Sequence, residues 1–296
     1  MYKIINKTLI FIGLCLVILS CSKESDNEIT VKKDSLKEDT LVSQVKMETF
    51  VQRVYIDLLG RKPIVSESST ALTKLKNTDA SFTARNEIVL NIVGSDEYFD
   101  KLYLYNVSEY LNGADQNYIL EQRLSAEYIK QLAVQDNNPI LLEFAQGMIN
   151  NLDSLMIIPT RLKQNAFSEA EMQRRICNNA IYDDINMGVP NFTYAVFESF
   201  LFRAPTIQEW QNSQNICNTA GGVLFGINGQ TKPDFLDIVF SSDHYFEGKV
   251  LNAYLRFLGR TPSSQEQYDN TVKLISDKDF QSLYVNILSS EEYFGK

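Results

Sequence analysis

The stretch VYIDLLGRKP at residues 54–63 decides the architecture of this chain, because closely similar stretches return twice. The two later versions are VFESFLFRAP at 196–205 and AYLRFLGRTP at 253–262. Each version is followed by a serine, two polar residues, a tyrosine and a phenylalanine: SDEYF at 95–99, SDHYF at 242–246 and SEEYF at 290–294. Three paired matches in the same order indicate an internal repeat with three copies.

Both halves of the repeat carry helix-boundary signals. A serine followed by acids is typical of a helix start, because the hydroxyl caps free N–H groups and the acids face the positive end of the dipole. The Gly-Arg-x-Pro segment is typical of a helix end, since glycine adopts the left-handed cap and proline prevents continuation. One helix should therefore run from about Asp243 to Leu258, whereas Phe202 replaces the glycine in copy 2 and requires a different cap.

We assign structural roles to the repeated arginines, prolines and tyrosines. The arginines are expected to cap carbonyls or to pair with the acids of the helix starts. The residues concerned are Arg61, Pro63, Tyr98, Arg203, Pro205, Tyr245, Arg260, Pro262 and Tyr293.

The repeat resembles a bacterial domain of unknown function written as Y-R-x-L-L-G-R-x-P followed by S-x-E-Y/F. That domain occurs in secreted and surface-layer-associated proteins and is similar to the helical linker domain of phycobilisomes. Copy 1 also resembles the start of a domain found beside cytochromes in secreted planctomycete proteins. The resemblance covers residues 47–103 and 191–296; it implies a helical fold and no particular activity.

The first twenty residues have the pattern of a bacterial lipoprotein signal. Lys3 and Lys7 are followed by an apolar segment at 9–19, which is too short to span a bilayer. The segment ends in Ile-Leu-Ser-Cys, which resembles the lipobox, where the cysteine is diacylated and becomes the first mature residue. We predict a signal peptide at 1–20 and a lipid anchor on Cys21. The alternative is an ordinary secretory signal with an incidental cysteine.

Residues 21–43 are predicted to form a disordered tether, because they are polar and contain few large apolar side chains. Ser22 is not the aspartate of an inner-membrane retention signal, which favours the outer membrane, with the chain facing the periplasm or the cell surface. Asp-Ser/Thr-apolar tripeptides at Ser35, Thr40 and Ser154 resemble O-glycosylation sites of Bacteroidetes proteins, and the tether resembles surface-export tethers of the same phylum.

The charge of the chain restricts its partners. The net charge is −9, and removal of residues 1–20 deletes two lysines and no acid, which gives about −11. Such a charge argues against nucleic acid and against electrostatic docking on anionic lipid. The lipid anchor is therefore the expected route to the membrane.

Cys177 and Cys217 are the two cysteines that remain after the signal and the anchor. In an oxidising compartment we expect a disulfide between them, which would stabilise the fold by about 4 kcal/mol in the chain-entropy model. The other possibility is two separate buried thiols that act as small apolar side chains.

The region between the repeats also has helical character. Segments at 116–135, 140–158 and 172–187 have apolar residues at spacings of three and four. We predict an all-α repeat or bundle of about ten to thirteen helices. Its parts are copy 1 at 44–103, a helical insert at 104–190, and copies 2 and 3 at 191–296.

The sequence offers little chemistry. His244 is the single histidine and occupies a helix-start position, so we predict neither a catalytic residue nor a metal site nor a cofactor. The segment GGVLFG at 221–226 has the glycine spacing of a P-loop, but Ile227 and Asn228 stand where lysine and serine or threonine are required. We expect close packing or a turn there.

The predicted function is a non-enzymatic, outer-membrane-anchored scaffold or protein-interaction module whose partner is an unidentified envelope protein. A first alternative is a glycan-binding accessory protein that uses Trp210, with Phe200 and Phe202, as an aromatic platform. A second alternative is a hydrolase that uses acidic residues such as Asp183 and Asp184. Adjacent residues on a helix point in different directions, which argues against a catalytic pair.

Overall fold

Helices make up most of the regular structure in the computed structural model, which describes residues 42–296. This part of the chain contains sixteen α-helices, thirteen of them long, so the predicted all-α fold of about ten to thirteen helices is confirmed. The helices are α1 (Gln44–Leu59), α2 (Val65–Asn77), α3 (Phe82–Val93), α4 (Asp96–Tyr110), α5 (Gln116–Gln135), α6 (Pro139–Met156), α7 (Ile158–Lys163), α8 (Glu169–Cys177), α9 (Ala180–Ile185), α10 (Val189–Val196), α11 (Ile207–Cys217), α12 (Lys232–Ser241), α13 (Asp243–Leu258), α14 (Ser264–Asp277), α15 (Phe280–Leu288) and α16 (Glu291–Gly295).

Local capping explains where the repeat helices begin and end. The hydroxyls of Ser95, Ser242 and Ser290 accept hydrogen bonds from the first turns of α4, α13 and α16. Gly60 and Gly259 end α1 and α13 with φ of 67° and 64°, a conformation in which a side chain would be strained. Helix α13 has the bounds that the sequence predicts.

Each repeat copy is a group of four consecutive helices. Copy 1 uses α1 to α4, copy 2 uses α10 to α13, and copy 3 uses α13 to α16, so that α13 belongs to two copies. The predicted boundary between residues 103 and 104 falls inside α4, and residues 42–296 form one compact unit.

Copy 2 ends its first helix in a different way from the other copies. Helix α10 continues into a π-helical turn at Phe197–Leu201, and Phe202 takes the left-handed position with φ of 52°. A Cβ on Gly248 of α13 would lie 2.7 Å from the carbonyl oxygen of Phe200, so only glycine allows this close packing of α13 on the π turn.

The glycine-rich segment of copy 2 forms a β-hairpin. Strand β1 (Gly222–Leu224) pairs antiparallel with β2 (Ile227–Gly229) through a two-residue turn. Phe225 and Gly226 in the turn both have positive φ, 52° and 81°, as a type I′ turn requires. The segment that resembles a P-loop is therefore a tight turn, as expected.

One apolar cluster connects the repeat copies with the base of the insert. The repeat pairs Tyr245-Phe246 and Tyr293-Phe294 lie inside it, and so do Leu152 and Leu155 of α6. Burial of a large apolar side chain contributes about 1.5–3 kcal/mol, so these pairs are a main source of stability.

Copy 3 is also attached to copy 1 by polar contacts. Arg85 of α3 is 2 % exposed; it donates to the carbonyl oxygen of Ser289 at 2.9 Å and forms an ion pair with Glu291. The Tyr293 hydroxyl donates to Asp57 of α1 at 2.7 Å. The short last helix is therefore held on copy 1.

Helices α5 and α6 form a long antiparallel hairpin. Only its base joins the apolar cluster, through Ile119 and the C-terminal half of α6. Farther out the buried residues are mainly alanines, among them Ala126, Ala133 and Ala145. Two helices that bury small side chains between them gain little apolar stabilisation.

Candidate functional site

In copies 1 and 3 the repeat arginine makes two bidentate ion pairs, which is the strongest geometry for this type of contact. One partner is the glutamate six residues later, and the other is the second acid of the following SxEYF start. Donor–acceptor distances lie between 2.6 and 2.9 Å for Arg61 with Glu67 and Glu97, and for Arg260 with Glu266 and Glu292. The predicted pairing with the helix-start acids is therefore present in both copies.

Copy 2 has only half of this arrangement. Arg203 donates to both oxygens of Glu209 at 2.7 and 2.8 Å, but His244 stands where the other copies have the second glutamate. The ring of Phe225 fills the space, 5.9 Å from the Arg203 guanidinium and 4.5 Å from the His244 ring. An aromatic stack thus replaces an ion pair.

The glutamates that follow the arginines were missed in the sequence, although a signal was present. All three copies read R-x-P-x-x-x-E, ending at Glu67, Glu209 and Glu266. Each carboxylate also accepts from the N-cap backbone N–H of the following helix at 2.7–2.8 Å. The arginine hydrogen bonds lower the pKa of Glu209 and Glu266 to about 2.

A buried polar network joins the insert to copies 2 and 3. Glu169 of α8 forms an ion pair with Lys249 of α13, and the two side chains are 5 % and 7 % exposed. Glu169 also accepts from the Tyr284 hydroxyl at 2.8 Å. One turn along α8, Gln173 accepts from the hydroxyl of the repeat residue Tyr245 at 2.7 Å.

The same network reaches copy 1. The Gln173 amide donates to Asn106 of α4 at 2.8 Å, and Asn106 donates to the carbonyl of Leu102 at 2.8 Å. Tyr98, the repeat tyrosine of copy 1, is buried, and burial followed by the charge of Glu169 raises the pKa of its phenol. The insert and all three copies therefore meet at one buried polar centre.

Two cavities lie beside this centre. One of about 260 Å³ is lined by Tyr98 and Glu169, and one of about 470 Å³ by Phe240, Phe246 and Arg174. Both oxygens of the Glu169 carboxylate already have partners within the protein. The Glu169 carboxylate therefore links α8 to α13 through Lys249 and to α15 through Tyr284.

The predicted disulfide between Cys177 and Cys217 is not formed, since both residues are free thiols in the structure. Each belongs to the last turn of a helix and packs against the apolar cluster. Burial raises the pKa of both thiols, that of Cys217 to about 12. The two cysteines behave as small apolar side chains, which is the alternative that the sequence left open.

The other predicted modification sites are placed as follows. Cys21, Ser35 and Thr40 lie outside the described residues. Ser154 lies within α6, half-buried, and its hydroxyl donates to the carbonyl of Asn151 at 2.8 Å. A glycan on Ser154 would have to displace this contact.

The residues proposed for an aromatic platform differ in exposure, and Phe202 is half-buried. Phe200 is buried, and the half-buried Trp210 donates its indole N–H to the carbonyl of Pro190 at 3.1 Å. Trp210 meets Tyr194 edge to face, with 6.5 Å between ring centroids. This geometry fixes the indole against the protein.

The part of the hairpin farthest from the core, which we call the distal hairpin (residues 124–148), exposes large apolar side chains. Ile140 is 81 % exposed and Phe144 60 % exposed, one turn apart on α6. Leu124 and Tyr128 are also exposed, one turn apart on α5. Single exposed apolar residues are ordinary, whereas contiguous exposed apolar patches are typical of interaction sites.

Comparison with known proteins adds no assignment: no family model, no curated protein and no solved structure matches the chain. The resemblance to the secreted helical repeat therefore stays a prediction. Among residues 42–296, no helix is both long enough and apolar enough to cross a bilayer. The same residues bring together no group of three or more His, Cys, Asp or Glu side chains suited to a metal ion.

Proposed function

We propose that the chain is a non-enzymatic helical module that binds or organises other proteins of the cell envelope. The single observation that supports this best is the distal hairpin. Its exposed rows of isoleucine, phenylalanine, leucine and tyrosine stand on a part of the molecule that contributes little to the core. Leaving an isoleucine or phenylalanine in water forgoes about 1.5–3 kcal/mol of burial, which a bound partner would recover.

The polar residues of the core support a structural role. The repeat arginines are engaged with glutamates, and the buried carboxylate of Glu169 is engaged with Lys249 and Tyr284. A general acid or base needs a proton-transfer path to substrate. A glycan platform is supported less, because the Trp210 indole is tied to the Pro190 carbonyl.

The location belongs to the same proposal: a lipid on Cys21 anchors the chain in the outer membrane, facing the periplasm or the cell surface. Cys21→Ser removes the acylated thiol and should release a folded chain from the membrane fraction. Fractionation and immunoblotting of cells that express each form measure this. A Cys21→Ser chain that stays in the membrane would contradict the anchor.

Crosslinking in intact cells tests the interaction. The wild-type chain should yield a crosslinked adduct with an envelope protein. The substitution Ile140→Glu should abolish this adduct. Ile207→Glu is the matched control, because Ile207 is 76 % exposed and also lies in the first turn of a helix, α11. An adduct that both variants retain, or the absence of any adduct, would count against the proposal.

A further inference from the structure

A third cavity, which we call the junction cavity, lies where copy 1 meets copy 3 and has a volume of about 390 Å³. Its walls come from the end of α1 and from α4, α13 and α15. Sites that hold small molecules have volumes of about 300–1,000 Å³ and mostly apolar linings. The apolar part of this lining consists mainly of Ile56, Leu58, Leu59, Leu102, Leu104 and Phe257.

The Tyr98 hydroxyl is an unused polar group at this cavity. Tyr98 is 3 % exposed and lines the junction cavity on one side and the cavity of about 260 Å³ on the other. Its hydroxyl makes no hydrogen bond with any of residues 42–296, and the fully enclosed hydroxyls without a partner are those of Tyr103 and Tyr182. The Tyr98 hydroxyl therefore faces a cavity, where an oxygen of a ligand would satisfy it.

Arg256 presents its guanidinium group to the junction cavity. One of its N–H groups donates to the carbonyl oxygen of Asp57 at 2.7 Å. Unlike the repeat arginines, it has no carboxylate partner in the part of the chain that the structure describes. Its guanidinium carbon lies 4.8 Å from the ring centroid of Tyr105 and 5.0 Å from that of Phe257. These rings hold the group in place with N–H donors left over.

The lining of the junction cavity has an excess of positive charge, although the chain as a whole carries −9. Lys101 and Arg256 are its cations, and Asp57 is the single acid among the described residues that line it. The Asp57 carboxylate accepts from the Tyr293 hydroxyl at 2.7 Å. Two cations and one acid favour a ligand with one negative charge.

Two acids near the lining are paired with other residues. Glu97, one turn before Lys101 on α4, forms its ion pair with Arg61. Glu169 is paired with Lys249. Neither carboxylate lines the junction cavity, so both acids leave its positive charge available to a ligand.

We infer that the junction cavity binds a small apolar carboxylic acid in its ionised form. The carboxylate pairs with Arg256 near Lys101, the hydrocarbon part packs on the apolar wall, and the Tyr98 hydroxyl donates to an oxygen of the ligand. Arginine suits this role because its planar fork matches the two oxygens of a carboxylate. A peptide segment fits less well, because its backbone N–H and C=O groups would face an apolar wall without partners. This site goes beyond the proposed function and does not involve the distal hairpin.

The test is calorimetric titration of the full chain bearing Cys21→Ser, with octanoate as the probe. Octanoate should bind with a dissociation constant below about 1 mM. The matched controls are 1-octanol and octylammonium, which have the same hydrocarbon length and a neutral or a positive head group. Each should bind at least about tenfold more weakly, because neither supplies the negative charge.

Variants then locate the site. Tyr98→Phe and Arg256→Gln should each weaken octanoate binding about tenfold, because each removes a hydrogen bond to a charged group. Lys101→Gln, at an exposed position, should weaken it about threefold. Thermal melting would show that the variants are folded.

Two control variants change similar groups elsewhere. Tyr103→Phe removes another buried hydroxyl of α4 that has no partner, away from the junction cavity. Lys278→Gln removes a cation from the cavities of about 260 and 470 Å³. Both should leave the affinity for octanoate unchanged.

Three results would overturn the inference. The first is no binding of octanoate up to about 5 mM. The second is equal affinity for octanoate and 1-octanol, which would show that the carboxylate is not recognised. The third is equal weakening by Lys278→Gln and Arg256→Gln, which would place the ligand in another cavity.

Discussion

The three repeat copies, which we call the repeat body, and the distal hairpin differ in which side chains they bury. In the body, tyrosine and phenylalanine are buried and arginines are held by glutamates, as Tyr245 and Arg260 illustrate. In the hairpin, alanines are buried and large apolar residues such as Ile140 and Phe144 face solvent. The body gains most of its stability from buried aromatic pairs, whereas the hairpin buries mainly small side chains and leaves Ile140 and Phe144 exposed. This contrast is the basis of our proposal that the hairpin is the interaction surface.

The largest effect is expected at the centre of the body. Lys249→Ala leaves the carboxylate of Glu169 buried without its cation, and removal of one member of a buried pair costs about 3–5 kcal/mol. Denaturant unfolding should show this loss. Lys273→Ala is the control: Lys273 is 50 % exposed in its pair with Asp277, so its loss should cost less than about 0.5 kcal/mol. Equal losses would contradict the importance of the buried centre.

Replacing either of two helical glycines by alanine should change the free energy of unfolding, and the two changes should have opposite signs. Gly248→Ala in the body places a methyl group 2.7 Å from the Phe200 carbonyl oxygen and should destabilise by about 1–3 kcal/mol. Gly147→Ala in the hairpin meets open space and should stabilise the monomer by about 1 kcal/mol through helix propensity. Thermal unfolding of both variants measures the contrast, and a destabilising Gly147→Ala would show that the glycine is needed within the chain.

The contribution of the repeat ion pairs to the free energy of unfolding should depend on pH. The pKa of Glu266 is lowered to about 2 by its hydrogen bonds to Arg260, so its contribution is present at neutral pH and is lost as the pH falls from about 4.5 towards 2. Glu266→Gln should cost about 1 kcal/mol at pH 7, since the pair is partly exposed. Unfolding curves of wild type and variant should converge at low pH; a constant difference would contradict the role of the charge.

The smallest effect on stability is expected on the hairpin surface. Ile140→Glu should change the free energy of unfolding by less than about 0.5 kcal/mol, because the side chain makes little contact with the folded chain. The same holds for the control Ile207→Glu. Denaturant unfolding of both at low protein concentration checks this, and a loss above about 1 kcal/mol for Ile140→Glu alone would assign the side chain to the core.

Local signals in the sequence were sufficient for the helices of the repeat. The bounds of α13 follow from the Ser242 cap and the Gly259 end, because both depend on neighbouring residues only. The glutamate six residues after each arginine was equally local and was overlooked. The pair of Glu169 with Lys249 had no such signal, since its members are 80 positions apart and meet only when the insert packs on the repeats.

The cysteines show a second limit of sequence reasoning. The expected oxidising compartment and the presence of two remaining cysteines favoured a disulfide. Whether Cys177 and Cys217 pair depends on how α8 and α11 pack, and both thiols are free in the structure. The hairpin was predicted as helical, yet the exposure of its apolar rows became visible only in three dimensions, because a mixed spacing of apolar residues does not reveal which of them reach the core.

The most direct measurement of the central claim is site-specific photo-crosslinking in living cells. A photoreactive phenylalanine analogue at position 144, on the distal hairpin, should give a discrete protein adduct, and the same analogue at position 207, where the native side chain is also exposed, should give none. Absence of an adduct at 144, or equal adducts at both positions, would contradict the assignment of the distal hairpin as the interaction surface.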